Sequence, residues 1–292
     1  MHRTHSVFWK VFLIGGLLAG GISSSFAKDK VDPSEIVSRN LQSIGTAAAL
    51  SARKNMDLEG EAQLHMITGG QAALQGQARL ISDGQKLRFQ FIAHNPNYDI
   101  DEYAFDGKST TIGFISPGHR SRLGQFLFTY RDPVTLGLLG GELTTAWPLL
   151  QPDLDGAKLS YDGIKKIDGK PYHELRYRPK KGERDLNVFF YFDPETYHHV
   201  YSVYRVTVPA TIGMTIDQSS QQRESRFAIE EKFDDFRTVD GLTLPSKWQL
   251  RVTVDKGDDS SITVWDMSFT RAMTNQVFPP DAFVISNGTT AK

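Results

Sequence analysis

The 292-residue chain has no cysteine. That excludes a disulfide framework, a thiolate zinc site, a cysteine nucleophile and attachment through a cysteine-linked lipid. An excess of one charge is also missing, since 33 Lys and Arg stand against 34 Asp and Glu for a formal net charge of −1. Without a basic face there is no electrostatic footprint for nucleic acid, and none is expected as a partner. After the first 27 residues no apolar run is long enough to cross a bilayer as a helix. Aromatic residues are not scarce: at 11% of the chain they argue against disorder, which goes with few aromatics and high net charge.

What is present begins with an address. Arg3 and Lys10 form a positive segment, Val11–Ala19 an apolar one, and Ser25-Phe26-Ala27 offers small residues to a signal peptidase. Residues 1–27 are therefore expected to be a cleaved signal peptide and 28–292 a single exported domain, most simply in a bacterial periplasm. Asp32-Pro33 reads as a cap and first helical position, and Ile36, Val37, Asn40, Leu41 and Ile44 form an amphipathic stripe that Gly45 can end. No other helix is expected in the first hundred residues. The remaining pattern has period two. Met56–Ile67, Ala72–Ser82, Lys86–Ala93, Ala157–Ile167, Pro171–Arg178, Leu186–Phe192, His199–Val208, Arg226–Phe236, Lys247–Val254 and Ser261–Thr270 read as strands. Gly69-Gly70, Asp83-Gly84, Asp106-Gly107, Asp168-Gly169, Asp193-Pro194, Asp240-Gly241 and Gly257-Asp258 punctuate them. Several of these strands span about 35–40 Å, a length that suits a strongly curled antiparallel sheet. The expected fold is mainly β (α+β): an incomplete barrel with an N-terminal helix and an apolar helical insert over its open side.

That insert is Leu123–Leu150. Asp132-Pro133 marks a helix start and Gly140-Gly141 a stop, and the segment is apolar nearly all round, so the sheet must cover it. Two readings stand open. The insert either plugs the barrel as ordinary core or acts as a movable lid hinged at Gly137, Gly140 and Gly141. In the second case Phe126, Phe128, Leu136, Leu139, Leu143 and Trp147 of the insert line a hydrophobic cavity. Phe89 and Phe91 complete it from one strand, Trp248 and Leu250 from another.

Catalytic constellations are wanting. Asp106-Gly107-Lys108-Ser109-Thr110 has the ending of a phosphate-binding loop, but Glu102 stands where that loop needs a glycine, so a hairpin turn is expected. No Gly-x-Ser-x-Gly elbow occurs. Neighbouring side chains of a strand point to opposite faces, so His198-His199 cannot chelate one ion together and reads as surface or rim histidine. Glu230-Glu231 and Asp234-Asp235 split in the same way and read as solvated strand positions, leaving no glycosidase pair. Asn287-Gly288-Thr289 is a sequon in what reads as a frayed tail. No metal, cofactor or enzymatic activity is expected.

Four stretches taken together resemble the LolA/LolB superfamily of periplasmic lipoprotein carriers, in particular its longer members of the outer-membrane lipoprotein-sorting type. They are the helix Pro33–Gly45 leading into Leu58-Glu59-Gly60-Glu61, then Ile167–Leu175, Tyr191–Tyr197 and Asp234–Pro245. The resemblance implies a half-barrel with helices across its open side and an apolar cavity for the acyl chains of a lipoprotein or lipid. It implies a carrier to or from the outer membrane, with that cargo and a membrane-bound donor or acceptor protein as partners. The chain is longer than the standard carriers. The arginine that helps hold their lid has no single counterpart, since Arg120, Arg122 and Arg131 all flank the insert. A lipid-responsive sensor or interaction protein of the cell envelope is the alternative on the same fold.

Overall fold

The computed structural model describes residues 31–68, 72–151, 153, 156–183, 185–209, 224–256 and 260–291. The expected signal peptide and the Gly69-Gly70 and Gly257-Asp258 turns lie outside the described residues. Helix α1 (Pro33–Ile44) starts where cap and proline put it, with Asp32 accepting the Ser34 N–H at 2.9 Å. Gly45 closes it by donating to the Leu41 carbonyl at 3.2 Å. Its buried positions Ile36, Asn40 and Ile44 recur every fourth residue, one face of a helix. A second helix, α2 (Ala47–Ala52), corrects the expectation that no other would occur in this region. Its alanines draw no apolar stripe, and the signal is Thr46, which caps it by accepting the Ala49 N–H at 3.1 Å.

Thirteen strands follow. They are β1 (Asn55–Thr68), β2 (Ala72–Asp83), β3 (Lys86–Asn95), β4 (Tyr98–Phe105), β5 (Thr110–Gly113), β6 (Lys158–Ile167) and β7 (Lys170–Arg178). Then come β8 (Leu186–Phe192), β9 (His199–Val208), β10 (Ser225–Val239), β11 (Leu242–Asp255), β12 (Ser260–Thr274) and β13 (Gly288–Thr290). They form one antiparallel sheet in the order β13-β5-β4-β3-β2-β1-β12-β11-β10-β9-β8-β7-β6. Asp168-Gly169 (φ 51° and 81°) and Asp240-Gly241 (φ 50° and 76°) make the left-handed two-residue turns whose twist matches that of the flanking strands. The tail is not frayed. β13 pairs with β5, and the Ala291 N–H donates to the Thr110 carbonyl at 2.9 Å, tying the end of the chain to the sheet.

The strand order explains the insert. β1–β5 form one meander and β6–β12 another, joined where β1 pairs with β12. β6 therefore borders one side of the sheet, while β5, extended only by the short β13, borders the other. Among the described residues β6 and β13 do not pair with each other, so the curl stays open as an incomplete barrel. The chain from Gly113 to Lys158 must pass from one border to the other, and it does so over the apolar face. That face carries the largest fully buried side chains, including Phe89, Phe91, Tyr103, Phe190, Phe192, Tyr204, Phe233, Trp248 and Trp265. Trp147 of the insert is buried with them.

Candidate functional site

The insert consists of α3 (Arg122–Thr129), α4 (Asp132–Thr135) and two single 3-10 turns, Gly141–Leu143 and Pro148–Leu150. The expected start at Asp132-Pro133 is real, but Asp132 stands inside the helix and the cap position belongs to Arg131. The helix ends after one turn, before the Gly140-Gly141 stop. Ser121 caps α3 by accepting the Gly124 N–H at 2.8 Å. Gly140 (φ 81°) and Gly141 (φ 48°) hold left-handed backbone, and a Cβ on Gly141 would stand 2.8 Å from the His199 ring. Only a glycine pair lets the chain turn this close to the sheet.

Apolar packing joins the insert to the sheet, and buried polar groups fasten it. Glu231, fully buried on β10, accepts the Gly140 N–H at 2.7 Å through Oε1. Its Oε2 lies 2.7 Å from the Tyr204 hydroxyl, which also lies 2.9 Å from the Leu138 carbonyl. The phenol has one proton for two acceptors. A protonated Glu231 resolves this by donating to the Tyr204 oxygen and freeing the phenol proton for Leu138. Burial supports that state, pushing Glu231 up to about 7 against the opposing hydrogen bonds from Gly140 and Tyr204. Glu142 belongs to the insert itself and is pushed up to about 8 by burial, with Asn40 and Arg53 opposing. Arg53, just before β1, is lowered to about 10 by the same desolvation and donates from Nη1 to the Glu142 carbonyl at 2.9 Å. Asn40 of α1 reaches Glu142 Oε2 at 3.4 Å and the Tyr197 carbonyl at 2.9 Å. At the other end, burial lifts Asp101 on β4 to about 6, and it accepts from the Ser121 and Tyr98 hydroxyls at 2.9 and 2.7 Å. Three buried carboxyls thus sit on the seam between insert and scaffold.

His199 lies on the same seam and is no surface histidine. It is fully buried, stacked on Trp147 with ring centroids 4.8 Å apart and flanked by Phe233 at 4.8 Å. Burial drives it down to about 3, so it stays neutral, with Nε2 3.0 Å from the Ser202 hydroxyl. Glu231 likewise corrects the reading of its pair as solvated. It occupies the inward phase between Ile229 and Phe233, and that phase was the available signal.

Of the ten cavity residues named from the sequence, eight are buried at this seam: Phe89, Phe91, Phe126, Leu139, Leu143, Trp147, Trp248 and Leu250. Phe89 meets Trp248 edge-on at 5.3 Å. Phe128 and Leu136 are part-exposed. Phe128 carries the Arg120 guanidinium 4.1 Å over its ring, and Leu136 lines a hollow of about 220 Å³ beside Ala146 and Pro148. The sequence reading missed Arg53, Asn40, Glu142 and Tyr204, which lie scattered along the chain and converge only in three dimensions.

Among the described residues no group of three or more His, Cys, Asp or Glu side chains is placed to hold a metal ion. Ser51 and Lys54 carry the Ser-x-x-Lys spacing of serine acyl-enzymes. The Ser51 hydroxyl is engaged at 2.8 Å with the Ala47 carbonyl of α2, a helix with no buried residue.

No family model and no curated protein matches the chain. Solved structures do. A LolA superfamily protein from Nitrosomonas europaea is 11% identical, over 87% of this chain and 98% of its own, with a TM-score of 0.47. An outer membrane lipoprotein-sorting protein domain from Vibrio parahaemolyticus is 11% identical over 85% and 97%, with a TM-score of 0.45. A DUF1329 family protein from Desulfovibrio piger is 12% identical over 87% and 98%, with a TM-score of 0.40.

Proposed function

We propose that the chain is an exported periplasmic carrier that takes the acyl chain of a lipoprotein or lipid between its insert and the apolar face of its sheet. It exchanges this cargo with a membrane-bound donor or acceptor and catalyses no reaction. The observation that carries the reading is the seam itself. The insert pairs no strand with the sheet, turns on glycines at positive φ and is fastened by a handful of buried polar contacts. Lifting it exposes a continuous apolar surface. Each acyl methylene buried there gains about 0.8 kcal/mol, enough over a long chain to offset those contacts.

The absence of cysteine permits a clean test. The hydroxyls of Thr110 on β5 and Thr135 on α4 lie 2.7 Å apart, so Thr110→Cys/Thr135→Cys places two thiols within reach of a disulfide. Native mass spectrometry of the mature chain with added phospholipid or acylated peptide should show a bound mass in the reduced form and none in the oxidised form. Equal uptake by the oxidised form would sink the lid reading.

A further inference from the structure

The face of the sheet away from the insert carries a groove of about 640 Å³ across β6–β11. Its floor includes Phe189, Tyr191 and Val203, with Ile167 and Tyr201 beside them. Lys165, Lys166, Arg176, Arg205, Lys232 and Arg251 line the groove, outnumbering the acids Asp168, Glu174, Glu230 and Glu231 that line it with them. Some of the basic side chains are occupied: Arg176 pairs with Asp162 at 2.8 Å, and Lys165 stands 3.9 Å from Glu174. Others are not. Among the described residues no carboxylate lies within 4 Å of Arg205 or Lys232, whose charges rest over the rings of Phe189 at 5.8 Å and Tyr201 at 6.0 Å. Arg251, which also lines the groove, has Glu230 no nearer than 3.8 Å, and its buried Nε–H finds no acceptor among the described residues.

We propose that this groove binds the phosphate head group of an anionic phospholipid. A phosphate presents several acceptor oxygens to donors arriving from different strands, and guanidinium and ammonium groups are its usual partners. The volume falls in the range of small-ligand sites. Tyrosines and aliphatic side chains beside basic residues recur at membrane–water interfaces, where a head group meets its glycerol and first methylenes. The site lies on the opposite face from the acyl seam and is independent of the lid.

The test is vesicle co-flotation of the full mature chain. Vesicles containing phosphatidylglycerol should bind the wild type, and vesicles of phosphatidylcholine alone should not. Arg205→Gln/Lys232→Gln, both outward-facing, should keep the wild-type thermal transition and weaken binding about tenfold or more. The oxidised Thr110→Cys/Thr135→Cys chain should still float, which separates this site from cargo uptake. Equal flotation of the double variant, or equal binding to phosphatidylcholine, would overturn the assignment. Inorganic phosphate that binds the groove as tightly as the vesicles do would overturn the lipid as its source.

Discussion

Glu230 and Glu231 are neighbours on β10 and live in different solvents. Glu231 points to the seam, is fully buried, holds the Gly140 backbone and is pushed up to about 7. Glu230 points to the groove, is 43% exposed at its side chain and faces Arg251 at 3.8 Å. The same contrast runs across the whole sheet. On the inner face the buried acids Glu231 and Asp101 both reach the insert or its cap, through the Gly140 N–H and the Ser121 hydroxyl. On the outer face polar groups are many, and they pair with one another across strands, as Asp57 does with Arg79 and Glu102 with Arg88. Glu231 therefore acts as a fastener whose loss leaves partners stranded, whereas the half-exposed Glu230 is a screened surface charge.

Ways to break this contrast follow from the two faces. Trp147→Ala should cost most, about 3–5 kcal/mol in denaturant unfolding, because it empties the space between His199 and Phe190. A loss below about 1 kcal/mol would mean that the insert is not packed as core. Glu231→Ala should cost about 2–4 kcal/mol, since the Gly140 N–H and the Tyr204 hydroxyl lose their partner in a dry site. Glu230→Ala should stay within about 1 kcal/mol. Similar losses for the two would erase the distinction between the faces.

Titration sharpens the comparison. In the unfolded chain a glutamic acid loses its proton near 4.5, whereas folded Glu231 holds its proton to about 7 and Glu142 to about 8. Their contribution to stability is complete below 4.5 and is lost as the pH rises through the folded values. His199 works the other way, its depressed value costing stability as the pH falls below 6.5. Above 6.5 the carboxyls act without that opposition, so the thermal midpoint should fall by several degrees between about pH 6.5 and 9. Glu231→Gln should flatten part of this slope. A slope unchanged in Glu231→Gln would show that Glu231 does not titrate in this range.

Much of the fold was legible locally. The alternation of Met56–Met66 and of Trp248–Val254 gave the strands and their inward faces, because side chains of a strand alternate whatever lies next to it. Asp168-Gly169 and Asp240-Gly241 marked hairpins because few other pairs tolerate two left-handed residues. The short pieces were harder to read. α2 has no periodic face, and β13 is too brief for a pattern and owes its conformation to β5.

By itself, then, the sequence determined a cysteine-free, mainly antiparallel chain with one wet and one apolar face and an apolar insert that needed covering. Only the tertiary structure decided where the insert goes and what fastens it. The two meanders leave β5 and β6 near opposite borders of the sheet, and this forces the connection across the open face. That path brings Arg53, Asn40, Glu142, His199, Tyr204 and Glu231 to one seam from positions up to 191 residues apart (231 − 40). Burial is a property of the surroundings: nothing local in Glu231 distinguishes it from Glu230 except the side of the strand on which it falls.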